Sequence, residues 1–221
     1  MKHSRPLSRE IPVIPRHTAL LFIDVQNYNA RPDGGAYKDQ GLSQAETETR
    51  YTYFFDRLRQ VVVPNMQRLQ KACRDRRIEV MYTVIESLTK DGRDRSLDYK
   101  ITGFNVPKGT WDAQILEAIA PIEDEIVFPK TSSSVFISTN IHYILGNLGV
   151  KFLIISGLLT DQCVSSAVRD ACDLGYLVTL ITDACATHTR ERHESSLQHI
   201  QGYCRQRTTG EFLVEIASTW K

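Results

Sequence analysis

Three residues of this chain supply a nucleophile, a proton acceptor and a cation at places where apolar runs end: Cys163, Asp24 and Lys130. The runs are "TALLFIDV" (18–25), "DEIVFPK" (124–130) and "KFLIISG" (151–157). Cys163 opens "TDQCVSSAVRDACDLG" (160–175), a helix-forming stretch without proline, with Thr160 as the expected N-cap and Asp161 beside it. The positive end of a helix dipole favours thiolate over thiol, and a nearby ammonium such as that of Lys130 adds to the shift. A partly desolvated carboxylate such as Asp24 can take a proton from a thiol and later return it to a leaving amine. Each residue also has a plain alternative. A free cysteine is commonly a small core hydrophobe, Asp24 could be a structural carboxylate paired with Lys130, and a strand-end lysine is usually solvated. Only the three together point to chemistry. Cys73, Cys172, Cys185 and Cys204 have no equivalent electropositive setting and read as packing residues.

The elements that must position these side chains alternate. Strands are expected at 18–25, 78–87, 124–130, 151–157, 176–184 and, last, "EFLVEI" at 211–216. Helices are expected over 54–76, with Pro64 kinking it or opening its first turn, and at 112–119, 138–149, 160–175 and 189–204. Two long polar connections, 26–52 and 88–111, read as surface loops on one rim, the first with at most a short helical piece. The pattern predicts a single α/β domain: a doubly wound, Rossmann-like, mainly parallel sheet with helices on both faces. Reactive groups in such folds gather beyond the carboxyl ends of the strands. Residues 1–17 read as an N-terminal extension and 18–221 as the domain.

Composition narrows the partners. Lys plus Arg number 27 against 26 Asp plus Glu, a formal net charge of +1, so no general attraction to nucleic acid or to an anionic membrane is expected. Small molecules are the expected partners. The start, "MKHSRPLSREIPVIPRHT", lacks the apolar core and cleavage site of a secretory signal, and no window reaches the roughly 18–20 apolar residues of a membrane span. A cytoplasmic location is expected. Five scattered cysteines without CxxC or CxxH spacing disfavour a disulfide framework or structural zinc.

"LLFIDVQN" around Asp24, "FPKTSSSVFISTNI" around Lys130 and "ISGLLTDQCVSSAVRDACDLGY" around Cys163 resemble the three signature segments of the isochorismatase-like cysteine hydrolases, in order and with similar spacing from Thr18 to Ile181. The resemblance implies an Asp24–Lys130–Cys163 triad and a cis peptide at Leu158–Leu159. It further implies an oxyanion hole from the amides of Leu159 and Cys163. The implied activity is hydrolysis of a C–N bond in a small ureide, carbamoyl compound or amide through a thioester-type intermediate, with release of ammonia and no cofactor. Nicotinamidases of that family hold a metal through Asp-x-His and further histidines after the second strand; "YTVIESLTKDGRDRSLDYK" (82–100) has none, so no catalytic metal is expected. True isochorismatases lack the cysteine.

"HIQGYCRQ" (199–206) resembles the biuret and ureide branch, which makes Gln201 a substrate-binding candidate, since one amide offers a donor and an acceptor. Glu86, Phe136 and Gln26 are further pocket candidates, with Arg93 or Arg95 in the loop beyond Glu86. The alternatives are a non-catalytic binding module on the same fold, or a hydrolase of a carboxylated amide such as maleamate, which inward-facing arginines would favour. Family resemblance also implies a homodimer or homotetramer, for which "YTYFF" (51–55) is an interface candidate as an exposed aromatic patch.

Overall fold

Apolar, β-branched runs bounded by polar turns become strands buried on both faces, and helices must then cover both sides of the sheet. A computed structural model of the chain describes residues 8–38 and 40–218. It has six strands: β1 (Thr18–Ile23), β2 (Glu79–Ile85), β3 (Ile126–Lys130), β4 (Phe152–Leu158), β5 (Leu177–Ala186) and β6 (Arg205–Arg207). They lie in the order β3-β2-β1-β4-β5-β6 and every neighbouring pair is parallel. The order reverses between β1 and β4, so a crevice opens beyond their carboxyl ends.

Eleven α-helices are present among the described residues: α1 (Asn27–Ala30), α2 (Gly35–Lys38), α3 (Gln44–Arg50), α4 (Thr52–Arg57), α5 (Val63–Asp75), α6 (Leu97–Thr102), α7 (Val135–Ser138), α8 (Ile141–Asn147), α9 (Ser165–Asp173), α10 (Arg190–Ile200) and α11 (Thr209–Ser218). Alternation along β1 divides the core. Leu20 and Phe22 pack against α4, α5 and α11 through Phe54, Phe55, Met66, Leu69, Phe212 and Ile216. Ala19, Leu21 and Ile23 face α8 and α9 through Ile141, Leu145, Ala167 and Ala171.

Several local expectations change. "EFLVEI" is helix, not strand. Thr208 and Glu211 form a capping box, with the Thr208 amide donating to the Glu211 carboxylate at 2.7 Å and the Glu211 amide returning to Thr208 Oγ1 at 3.3 Å. Phe212 and Ile216 are fully buried one turn apart, while Val214 between them is 71% exposed. The last strand is instead "RQR", where buried Arg205 donates to Glu215 at 2.7 and 2.9 Å and so ties α11 to the sheet edge.

The segment 26–52 is not a surface loop. It folds into α1, α2 and α3, with residues 26–30 buried and the Ser43–Glu46 capping box opening α3. Likewise 112–119 is not a helix but two 3₁₀ turns, Trp111–Ala113 and Glu117–Ile119. Its backbone bonds go elsewhere: the Asn27 amide donates to the Gln114 carbonyl and the Leu116 amide to the Val25 carbonyl.

Pro64 sits in the first turn of α5, after a π-helical turn, Leu58–Val62, that joins α4 to it. Of the 138–149 stretch only Ile141–Asn147 is helix, α8, after α7 ends at Ser138, with Gly149 at φ +69° beyond it.

"YTYFF" is not an exposed patch either, because Phe54 and Phe55 are core residues at 0% and 1% exposure. Exposed apolar surface lies instead at Leu97 and Ile101 on α6 and at Ile137 and Tyr143. Of the N-terminal extension, residues 1–7 lie outside the described residues. Within the rest, Val13 is buried and its amide donates to Glu215, and Pro15–His17 forms a 3₁₀ turn leading into β1. No described helix is long and apolar enough to cross a membrane.

Candidate active site

Asp24 follows directly on β1, Lys130 ends β3, and Cys163 lies five residues beyond β4. Sheet register brings them together. Ile23 pairs with Thr83 of β2 and Gly157 of β4, and Ile85 of β2 pairs with Lys130. Asp24 adopts φ +52°, turning the chain out of the strand, and its amide is held by the Thr83 carbonyl and Oγ1, both at 3.1 Å. Gly157 allows the close approach of β4: a Cβ there would lie 2.2 Å from the Ile23 carbonyl oxygen, and its φ is +139°. No other residue fits.

The Lys130 ammonium is the hub. Its Nζ lies 2.9 Å from Asp24 Oδ2, and it donates to Ser132 O at 2.9 Å, Tyr99 OH at 3.0 Å and Cys163 Sγ at 3.3 Å. Four acceptors thus surround three protons, and the Lys130 and Asp24 side chains are both wholly buried. Thr83 Oγ1 donates to Asp24 Oδ1 at 2.6 Å. Asp24 Oδ2 has Lys130 as its ion-pair partner yet accepts no well-aligned hydrogen bond, so it keeps lone-pair capacity for a proton.

Electrostatics correct one expectation. Burial pushes the Cys163 thiol up to about 11, since the opposing pull of Lys130 does not outweigh desolvation with Asp24 adding to it. Burial alone would pull the Lys130 ammonium down, but the Asp24 carboxylate and Cys163 hold it well above the ordinary lysine value. One cation facing a carboxylate and a thiol keeps the pair with the carboxylate. At rest Cys163 is therefore a thiol beside a charged Lys130, not a thiolate set by the helix end.

The turn carrying Cys163 is π-helical, Thr160–Val164, running into α9. Leu158–Leu159 is cis, and the Leu159 carbonyl accepts from the Gln162 and Val164 amides at 3.0 and 3.3 Å. Thr160 is not the N-cap; Leu159 holds that position. Thr160 Oγ1 instead meets His193 Nδ1 at 2.9 Å, and Arg57 Nη2 meets His193 Nε2 at 3.0 Å. Arginine can only donate, so Nε2 accepts and Nδ1 carries the proton toward Thr160. Burial, with Arg57 adding, pulls the imidazole down to about 4, keeping it neutral.

Cys163 opens onto a cavity of about 450 Å³ whose wall includes Leu158, Leu159 and Tyr99. Tyr99 was not singled out in the sequence, though its hydroxyl lies 3.7 Å from Cys163 Sγ. Nothing in "SLDYK" marks it. Thr83 likewise had no local signal.

The proposed pocket candidates fall elsewhere. Gln201 is exposed beyond the far end of α10, in a surface depression with Arg9 and Arg207. Glu86 accepts from the Gly109 amide at 2.8 Å and ties down a loop. Phe136 packs on Tyr176 with ring centroids 6.0 Å apart. None of these three lines the cavity. Gln26 is fully buried and spends its amide on the backbone of Ile85, from which Oε1 accepts at 2.6 Å and to which Nε2 donates at 2.9 Å, and on the Asp112 carbonyl at 3.0 Å. It braces the crevice instead of facing a ligand.

Arg93 pairs with Asp91 at the surface, and Arg95 donates to the carbonyls of Gly92 and Phe104. Among the described residues no group of three or more His, Cys, Asp or Glu has metal-binding geometry. Cys73, Cys185 and Cys204 are buried and Cys172 partly so, all four unbridged.

The isochorismatase domain model matches residues 18–211. A protein of Arabidopsis thaliana named as a probable inactive nicotinamidase is 34% identical over 189 residues, covering 82% of this chain and 87% of that one. The ureidoacrylate amidohydrolase of Agrobacterium fabrum is 36% identical over 85 residues, 38% of this chain and 37% of that enzyme. Among solved structures, a cysteine hydrolase from Pseudomonas syringae superposes with a TM-score of 0.80 at 23% identity, covering 98% of this chain and all of that one.

Proposed function

Since this chain belongs to the isochorismatase domain family, a family with amidohydrolase relatives, we propose that it is a cysteine-dependent hydrolase cleaving a C–N bond of a small ureide, carbamoyl compound or amide. One observation carries the reading: a buried ammonium lies 2.9 Å from the Asp24 carboxylate and 3.3 Å from the Cys163 sulfur, and that sulfur opens onto a cavity.

In the first half-reaction Asp24 takes the Cys163 proton as the sulfur attacks the substrate carbonyl. With its thiol at about 11 at rest, the cysteine needs that base at neutral pH. The carbonyl oxygen gains the negative charge, and the amides of Leu159 and Cys163 are the donors proposed to receive it. Collapse breaks the C–N bond, Asp24 passes its proton to the departing nitrogen, and ammonia leaves behind a thioester. In the second half Asp24 accepts a proton from water as the water oxygen attacks the thioester. The C–S bond breaks, the acid product forms, and sulfur regains its proton. Throughout, Lys130 stays charged and balances whichever of Asp24 and Cys163 is anionic.

Tyr99 acts as a positioning residue for that ammonium. Its hydroxyl accepts one of the three Nζ protons; hydrogen bonds to charged groups contribute about 1.5–3 kcal/mol. Tyr99→Phe is expected to lower kcat roughly 10- to 100-fold with KM changed by less than about threefold, as for an interaction that does not bind the ground state. Steady-state kinetics of a folded variant check this; a rise in KM at constant kcat would place Tyr99 in substrate binding instead.

A second reading is favoured by the relative named as a probable inactive nicotinamidase: a binding module that keeps the fold without turnover. The two separate on ammonia release from biuret, ureidoacrylate, N-carbamoyl amino acids, maleamate and nicotinamide, with mass spectrometry of the protein after mixing. Hydrolysis predicts ammonia from at least one compound and an acyl adduct on the Cys163 peptide. Silence across the panel with no adduct overturns the hydrolase and leaves the module.

A further inference from the structure

The cavity differs from its surroundings in charge. Among the described residues no lysine or arginine lines it. The acidic side chains on its wall are those of Asp98, which is exposed, and Asp161. Asp161 is itself held by Thr187 Oγ1 at 2.6 Å and by Arg192, whose Nε lies 2.7 Å away on a side chain that is 44% exposed. The nearest buried cation, Lys130, already shares its protons among Asp24, Tyr99, Ser132 and Cys163. His188 on the wall has its pKa lowered by burial and by Arg192, so it stays neutral at pH 7.

The remaining polar lining is uncharged: Asn29, Ser133, Gln162 and Ser166. Asn29 stands out among them. It is 8% exposed, and its side-chain carbonyl oxygen, Oδ1, is buried without a hydrogen-bond partner among the described residues. A buried acceptor left without a partner is costly, and a ligand N–H that donates to it removes the cost.

We infer that the cavity selects an uncharged amide or ureide over its carboxylated counterparts, with Asn29 as the specificity-determining residue that pairs with the substrate's own amide. The inference rests on the reading of Cys163 as nucleophile toward a C–N bond, and it deepens that reading. A carboxylate entering this cavity would shed water beside Asp98 and Asp161 with no free cation to receive it. An amide of the same shape meets neutral donors and acceptors instead. The arginines that would favour a maleamate-like substrate are committed: Arg57 to the Cys185 and Thr182 carbonyls and His193, Arg95 to loop carbonyls, and Arg192 to Asp161.

The test compares N-carbamoylglycinamide with N-carbamoylglycine, which differ only in a terminal amide against a carboxylate. Calorimetric binding is measured on Cys163→Ala, which leaves both ligands intact, and ammonia release on the unmodified protein. At least tenfold tighter binding of the amide is expected. Asn29→Ala in the same background should erase about tenfold of that preference, a hydrogen bond's worth, with folding checked by circular dichroism. Equal binding, tighter binding of the carboxylate, or binding of neither overturns the charge selection. A preference that survives Asn29→Ala unchanged removes Asn29 from the inference. Selective binding without turnover of either compound by the unmodified protein would sink the hydrolase reading and leave the charge selection standing.

Discussion

Cys163→Ala is expected to abolish ammonia release, lowering kcat by about 10⁵-fold while leaving ligand affinity within a few fold, because a covalent route ends when its nucleophile is removed. The substitution deletes one sulfur from a side chain that is 6% exposed. The Asp24–Lys130 pair remains intact at 2.9 Å, so loss of activity without loss of fold is the signature to look for. Burial also pushes the thiols of Cys73, Cys185 and Cys204 up, to about 12, so it is the opening of Cys163 onto the cavity, read by peptide mapping, that separates it from them, and pH reads its resting state. Its thiol is pushed up to about 11 by burial, with Asp24 adding and Lys130 opposing, whereas an exposed cysteine titrates near about 8.5. Without substrate, alkylation of Cys163 by iodoacetamide should therefore keep rising well above pH 9, and peptide mapping locates the label. A plateau near pH 7 would mean a resting thiolate and would remove the need for Asp24 as base. Retained turnover in Cys163→Ala would remove the covalent mechanism altogether.

What the sequence made legible was what lies close together along the chain. Strand ends marked by Asp24 and Lys130 stood out because a charge after an apolar run contradicts its surroundings, and Cys163 stood out because a strand hands over to a helix there. Alternating apolar runs likewise carried the parallel sheet, since β1 and β4, buried along their whole length, leave no polar face to misassign. Long-range pairings were not legible. Tyr99 meets Lys130 across 31 residues and Thr83 meets Asp24 across 59, and neither sits in a local pattern that calls for it. Asn29 was lost inside a stretch whose polarity suggested a loop, although its neighbours are clipped to residues 111–116 and buried.

Two departures have a local physical reason. Thr208 and Glu211 spell a capping box ahead of Phe212 and Ile216, a helix signal that the β-branched look of "EFLVEI" obscured. The motif around Gln201 carries no information on its distance from Cys163: α10 starts beside the cavity at Arg190, two residues after His188, and ends a helix length away.

Lys130→Ala should destabilise the fold by about 3–5 kcal/mol, the usual cost of leaving one member of a buried ion pair uncompensated. Asp24 has no exposure to water and keeps only the Thr83 hydroxyl at 2.6 Å as a strong side-chain donor among the described residues, so the carboxylate cannot recover hydration without parting β1 from β2 inside the sheet. The double variant Asp24→Asn with Lys130→Met removes both charges and keeps the volume, and replacements of that kind are often close to neutral. Denaturant midpoints should therefore fall sharply in the single variant and return most of the way in the double. Activity should behave differently: both remain inactive by at least about 10³-fold, since general-base catalysis is gone or misplaced in each. The pH dependence has a defined sign. The Lys130 pKa is raised in the folded state by Asp24 and Cys163 despite its burial, so the stability it contributes is fully present below the unfolded lysine value of about 10.4 and is lost as pH rises beyond it. Unmodified protein should lose stability above about pH 10 more steeply than the double variant, with the gap between them constant across the neutral range. A double variant as unstable as the single one would mean that the pair also holds β1, β2 and β3 in place. A double variant that regains turnover would show that neither charge takes part in the chemistry.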